Sequence, residues 1–93
     1  MDNILKKAVV GDYVLFVGKI ERHYRKRVIL DIVTEVDDEG YSNKVYSEKD
    51  GILSLEGKEK VWYKEDYDND WNIRILKGKE KQKWMDKVLI ADI

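Results

Sequence analysis

The chain is organised around two apolar runs, Asp12-Tyr-Val-Leu-Phe-Val-Gly-Lys-Ile20 and Arg27-Val-Ile-Leu-Asp-Ile-Val-Thr-Glu-Val36. Both are rich in β-branched and aromatic residues, which favour strands, and they predict a long hairpin. Successive side chains of a strand point to opposite faces. In the second run the face with Asp31 and Glu35 is mixed, so we predict that the other, consistently apolar face points inward: Val28, Leu30, Ile32, Thr34 and Val36.

Between these runs lies the most basic segment of the chain, which a hairpin would present at one end of the domain. We take its members as candidate contact residues: Arg22, His23, Tyr24, Arg25, Lys26 and Arg27. The alternative is a solvated hairpin tip whose charges are offset by nearby acids. His23 is the only histidine, and no serine or carboxylate motif points to it, so we interpret it as a turn residue.

Length and charge set the class of protein. Ninety-three residues predict one domain with a small single core. Charged residues make up 40% of the chain, against roughly 25% in average proteins, so most of the surface must be ionic. The formal net charge of -1 argues against gripping nucleic acid through overall charge, although it leaves room for a local basic patch.

Composition also bears on location and origin. The chain has no cysteine, which excludes disulfides and thiolate metal sites and predicts a cytoplasmic protein. No window approaches the roughly 18 uninterrupted apolar residues of a membrane span, and we predict neither export nor a membrane partner. Lysine far outnumbers arginine and proline is absent, a composition that would suit a bacterial or phage gene rich in A and T.

The opening of the first strand carries a family resemblance. Gly11-Asp12-Tyr13-Val14, followed by Gly18-Lys19 and a second strand, resembles the start of SH3-like small β-barrels of the KOW type, which occur in transcription and ribosomal proteins. The resemblance covers about a quarter of the chain. It implies a small barrel and a nucleic-acid-binding role.

Turn signals divide most of the remaining chain into short strands. Residues 2–8 suffice for one helical turn with a cap at Asp2 or Asn3. Residues 36–40 form a strong turn, and the weakly apolar residues 41–47 read as a third strand at a sheet edge or with one wet face. After the turn at residues 49–51 we predict a short fourth strand at residues 52–55 and a turn at residues 56–59. Residues 60–65 and 71–77, with Trp71, Ile73 and Ile75 on one face, are then expected to pair as a hairpin.

The tail, residues 79–93, fits two patterns. Trp84, Met85, Val88 and Leu89 follow a helical stripe, whereas residues 88–91 also fit a strand. We favour a closing strand, because a meander needs its last edge covered. The predicted fold is therefore mainly β, a small antiparallel barrel or strongly bent meander sheet of SH3-like size, with a short terminal helix as the alternative for the tail.

Two further segments are candidate sites. Residues 66–70 look like the first half of a calcium loop, but Trp71 stands where glycine is needed and Lys77 where glutamate is needed. We therefore predict a solvated acidic turn and no metal. Trp62 and Tyr63 must face opposite ways on a strand, so one of them is expected outside, where an aromatic ring can stack on bases, anchor a protein interface or cover the rim.

No catalytic constellation, phosphate loop or cofactor motif is recognisable, so we predict a non-enzymatic binding module without a cofactor. The partner expected first is another protein, which a small regulator or inhibitor would contact through residues 22–27 and through Trp62 and Tyr63. The alternative is a KOW-like nucleic-acid binder that uses the basic turn at residues 22–27. An enzyme whose site cannot be read from residue types and spacing is a third, weaker possibility.

Overall fold

The computed structural model describes residues 3–22 and 25–93, and they form one five-stranded antiparallel sheet with a helix at each end of the chain. This confirms the predicted mainly β class in its meander-sheet form with a terminal helix. The elements are a 3₁₀ helix at Ile4–Lys7, the strands β1 (Tyr13–Arg22), β2 (Arg25–Val36), β3 (Gly40–Lys49), β4 (Ile52–Trp62) and β5 (Trp71–Ile75), and the helix α1 (Gly78–Ala91).

The strand order is β4-β3-β2-β1-β5, so β1 to β4 form a meander and β5 returns to the far edge. β5 pairs with β1, with Ile73 opposite Phe16 and Ile75 opposite Val14. The predicted hairpin between residues 60–65 and 71–77 is therefore wrong. Pairing with β1 instead places the apolar face of β5 beside that of the central hairpin, and residues 63–70, here called the crossing segment, run over one face of the sheet from β4 to β5.

β4 is one long strand where a short strand and a turn were predicted. Val45 pairs with Gly57 and Tyr46 with Leu55, so Glu56 is an extra, bulged residue. Gly57 has a φ of 141°, which is why a glycine stands here. The turn-like composition of residues 56–59 thus encodes a bulge, and β3, predicted as a possible edge, lies inside the sheet between β2 and β4.

The turn between β2 and β3 forms as predicted. The Asp37 carboxylate accepts hydrogen bonds from the backbone N–H groups of Glu39 (2.8 Å) and Gly40 (3.0 Å). A glycine is required at position 40 because a Cβ atom there would lie 1.9 Å from the carbonyl oxygen of Val61 on β4. The close approach of β3 and β4 at this end therefore depends on the missing side chain.

The sheet is covered on both faces. One core lies under α1 and consists of Leu15, Leu30, Tyr46, Leu53, Leu76, Trp84 and Val88. The other lies under the 3₁₀ helix and the crossing segment and consists of Leu5, Ala8, Val14, Phe16, Val33, Tyr41 and Val61. Asn3 caps the 3₁₀ helix by accepting a hydrogen bond from the N–H of Leu5 at 3.0 Å.

β2 contributes to both cores, which corrects the prediction of a single inward face. Leu30 is fully buried under α1 and Ile32 is half-buried there, as expected. Thr34 and Val36 are exposed, because the pairing with β3 shifts register between Val33 and Glu35. Residues of the face expected outside, including Asp31, are buried on the other side of the sheet.

The tail is a helix, so the favoured closing strand is wrong and the helical alternative holds. Trp84 and Val88, four residues apart, are both buried against the sheet. The helix covers an entire apolar face, which a strand added at one edge could not do. Its C-terminal end is fixed by a hydrogen bond that the Tyr46 hydroxyl donates to Asp92 Oδ1 at 3.0 Å. Neither described helix has the length and apolar character needed to cross a membrane.

Candidate binding groove

An open groove of about 890 Å³ lies at the end of the sheet where β1 and β2 meet. Gly18 and Ile20 of β1 and residues 25–28 of β2 line it. The end of β3 and the turn after it add residues 48–50, and Asp70 and Trp71 are added where β5 begins. The topology therefore gathers one end of four strands around the described part of the basic segment.

The central feature of the groove is a cation–π contact between Arg27 and Trp71. Gly18 pairs with Trp71 on one side and lies beside Arg27 on the other. Because Gly18 has no side chain, the Arg27 guanidinium reaches across β1, and its Cζ lies 5.6 Å from the centre of the Trp71 ring. A glycine within a strand often marks such a close approach, so Gly18 is the signal in the sequence that could have predicted this contact.

Trp71 is held firmly in this position. Its ring meets the buried Phe16 edge-on, with the ring centres 6.1 Å apart and the planes at 85°. Its backbone N–H donates to the carbonyl oxygen of Tyr67 at 3.0 Å, and the N–H of Lys19 on β1 donates to the carbonyl oxygen of Asp70 at 2.9 Å. The aromatic surface in the groove is therefore pre-organised by the core and by the sheet.

The charges in the groove are mixed. Its lining carries four cationic side chains, Arg25, Lys26, Arg27 and Lys49, against three carboxylates, Glu48, Asp50 and Asp70. Arg25 and Asp50 form an ion pair at 2.7 Å, and since more than half of each side chain is exposed the pair contributes only about 0 to 1 kcal/mol of stability. Beside them Ile20 is 68% exposed, which adds an unpartnered apolar surface.

The structure brings some predicted contact residues together and separates others. Arg25, Lys26 and Arg27 lie in the groove. His23 and Tyr24 lie outside the described residues, and of Arg22 the structure describes only the backbone, which ends β1. Trp71 was assigned to an ordinary strand face and not to the candidate contact residues, yet it is the aromatic residue that contacts Arg27.

Trp62 and Tyr63 lie at the opposite end of the sheet. Trp62 pairs with Gly40 at the start of β3, whereas the groove adjoins Lys49 at its end, about 30 Å away at roughly 3.3 Å per residue. Trp62 is 37% exposed and lies between Lys60 and Lys64, whose Nζ atoms are 4.6 and 5.8 Å from the ring centre. Tyr63 is half-buried against the core, which confirms that one of the two aromatic residues is outside.

A buried polar cluster lies on the face covered by the crossing segment. The hydroxyl of Tyr41 donates a hydrogen bond to Asp31 Oδ2 at 2.9 Å, and both residues are buried. Burial raises the pKa of the Asp31 carboxyl to about 7, although the hydrogen bond from Tyr41 opposes the rise. Asn43 on β3 is 1% exposed, and its side-chain amide has no hydrogen-bond partner in the part of the chain that the structure describes.

The acidic turn at residues 66–70, which resembled half a calcium loop, is held by hydrogen bonds between its own residues. One oxygen of the Asp66 carboxylate accepts a hydrogen bond from the backbone N–H of Asp68, and the other accepts one from the side-chain amide of Asn69, both at 3.1 Å. Within the described ranges no cluster of three or more histidine, aspartate or glutamate side chains has a geometry that could hold a metal ion.

A scan against protein-family models and searches of curated proteins and of solved structures gave no match to this chain. The resemblance of the N-terminal quarter of the chain to SH3-like barrels of the KOW type therefore stays a prediction, and the interpretation of the groove depends on its own geometry.

Proposed function

We propose that this protein is a non-enzymatic binding module that contacts another protein through the groove and acts in the cytoplasm as a small regulator or inhibitor. The observation that carries the proposal is the Arg27–Trp71 contact beside the exposed Ile20. Tryptophan and arginine are the side chains that most often dominate the energy of protein interfaces, particularly where they are already ordered.

The charge pattern favours a protein partner over a nucleic acid. A surface with four cations and three carboxylates complements another mixed-charge surface, and such complementarity sets association rate and specificity. A phosphate backbone presents one sign of charge throughout, so the three carboxylates would repel it.

Nucleic-acid binding is the second candidate function. It is favoured by the three consecutive exposed cations Arg25, Lys26 and Arg27, with Lys49 across the groove. The resemblance to KOW-type barrels points the same way. Such binding would weaken steeply with salt, by a factor that grows with the number of phosphate contacts.

The proposal is tested by affinity capture from bacterial lysate treated with nuclease. The baits are the parent, Arg27→Glu, and the control Lys58→Glu, which makes the same charge change at an exposed position of β4 that does not line the groove. We expect a protein retained by the parent and by the control and lost by Arg27→Glu, and its direct binding to the purified module is then measured by calorimetry.

The same variants separate the two functions. Parent and variants are titrated against labelled single- and double-stranded oligonucleotides at two salt concentrations. Micromolar binding by the parent that Arg27→Glu abolishes, together with capture that disappears after nuclease treatment, would replace the protein-binding proposal with the nucleic-acid one.

A further inference from the structure

We infer that the groove takes a short protein segment that carries a carboxylate next to an apolar side chain, with the carboxylate bound by Arg27 and the apolar group resting on Trp71 and Ile20. The inference depends on the proposed function, because it names the chemistry of the partner for the same groove.

Arg27 has the geometry of a carboxylate receptor. A guanidinium is planar and carries five N–H donors around its edge, so it can stack through its face and still bind both oxygens of a carboxylate. The Arg27 Cζ lies 5.6 Å from the centre of the Trp71 ring, which places the guanidinium within cation–π range of that ring. Among the side chains that the structure describes, those of residues 3–20 and 25–93, no ion pair includes Arg27, so none of these ion pairs uses its donor edge.

The contact with Trp71 also lowers the cost of binding. An exposed arginine samples many rotamers, and immobilising it opposes binding. Here the side chain lies near a ring that the core already holds. The contact with Trp71 therefore restricts the arginine before the partner arrives.

The neighbouring carboxylates select a single negative group over a run of them. Asp50 is held by Arg25, and Glu48 Oε1 accepts a hydrogen bond from the N–H of Gly51 at 3.1 Å. Together with Asp70 they border the groove, so a ligand with repeated negative charges meets repulsion on either side of Arg27. A segment with one aspartate or glutamate satisfies Arg27 without that repulsion, and an adjacent apolar side chain covers Ile20.

The inference is tested with a display library of random short peptides, selected against the parent protein. We expect enrichment of sequences with one aspartate or glutamate beside a large apolar residue. A selected peptide is then synthesised with its acid and with the matching amide, and its affinity is measured by fluorescence anisotropy. Because a hydrogen bond to a charged group contributes about 1.5 to 3 kcal/mol, the amide is expected to bind about 10- to 100-fold more weakly.

Two variants examine the mechanism without changing the net charge. Arg27→Lys keeps the charge but removes the planar fork, and Gly18→Val places methyl groups in the path of the guanidinium. A Cβ atom at Gly18 would lie 3.4 Å from the Arg27 carbonyl oxygen, an ordinary contact, so the valine variant is expected to fold. Each variant should lower the affinity for the peptide by about tenfold or more, while the charge-conserving control Lys58→Arg, outside the groove, should leave it unchanged.

Several results would overturn the inference. They are an enriched set without acidic residues, no enrichment at all, an amide peptide as tight as the acid, or unchanged affinity in Arg27→Lys. Selected peptides that lack an acid but still lose binding in Gly18→Val would refute the carboxylate while leaving the groove as a protein-binding site. Preferential binding of an oligonucleotide over every selected peptide would refute both proposals. Should Gly18→Val not fold by circular dichroism, Arg27→Lys and the amide peptide decide the question.

Discussion

Asp31 makes the stability of this protein fall as pH rises through neutrality. The residue is 3% exposed, and burial raises the pKa of its carboxyl from the ordinary value of 3.8 to about 7. Between those two pH values the folded chain holds a proton that the unfolded chain releases, so the free energy of unfolding decreases as pH rises. Each pH unit of that interval corresponds to about 1.4 kcal/mol, and the loss between pH 4 and pH 8 is therefore up to about 4 kcal/mol.

Such a loss is a large share of the roughly 5 to 15 kcal/mol that stabilise a small domain. Asp31→Asn should remove it, because an amide has nearly the same shape and does not titrate. Its amide oxygen can accept the hydrogen bond from Tyr41. Its N–H₂ group can donate a hydrogen bond to the amide oxygen of Asn43, which has no partner among the described residues. We expect the variant to be more stable than the parent at pH 8 and nearly independent of pH from 5 to 8.

The assay is urea unfolding followed by circular dichroism, at fixed ionic strength and at several pH values from 4.5 to 8.5. The control is Asp38→Asn, an exposed aspartate in the turn after β2, which should keep the slope of the parent. The pKa of Asp37, which Lys60 and two backbone N–H groups lower, changes stability only near and below its ordinary value of 3.8, outside this interval. A parent whose stability rose from pH 5 to 8, or an Asp31→Asn variant with an unchanged slope, would refute the reasoning.

Three further predictions concern the packing. Leu30→Ala should cost about 2 to 5 kcal/mol in urea unfolding and the half-buried Ile32→Ala less; equal melting temperatures for both variants and the parent would contradict the core under α1. Gly40→Ala should shift the amide resonances of β3 and β4 and lower the melting temperature, because its Cβ would lie 1.9 Å from the Val61 carbonyl oxygen; an unchanged spectrum would contradict that approach. Trp84→Ala should cost about 3 to 5 kcal/mol while leaving far-UV signals of the sheet in place at low temperature, and a smaller loss than in Ile32→Ala would show that α1 is not part of the core.

Of the candidate site, the sequence predicted only the basic residues that are consecutive in the chain. Consecutive positions in the sequence place Arg25, Lys26 and Arg27 on one segment, so a basic end of the hairpin follows from the turn between two apolar runs. Trp71 is far along the chain and joins Arg27 only because β5 pairs with β1. No local pattern distinguishes that pairing from the hairpin with β4, since both bury the same face of β5.

By itself the sequence determined the features that neighbouring residues decide. Alternation and β-branched residues predicted the β1–β2 hairpin, and Asp37 with Gly40 predicted the next turn. The sequence also predicted a capped first helical turn, with Asp2 and Asn3 as the alternatives, and the structure has Asn3 as the cap. Each depends on hydrogen bonds or side-chain directions within a few residues, which composition and spacing describe directly.

Only the tertiary structure decided which surfaces cover the sheet. The tail forms a helix that covers the face of the sheet containing Leu30. Residues 63–70 cross the other face, on which Asp31 is buried. Gly57 was predicted to lie in a turn, whereas it lies beside a bulge within β4. These outcomes depend on contacts between distant segments, whose free energy comes from the apolar area they bury together and so is not contained in any single stretch of the sequence.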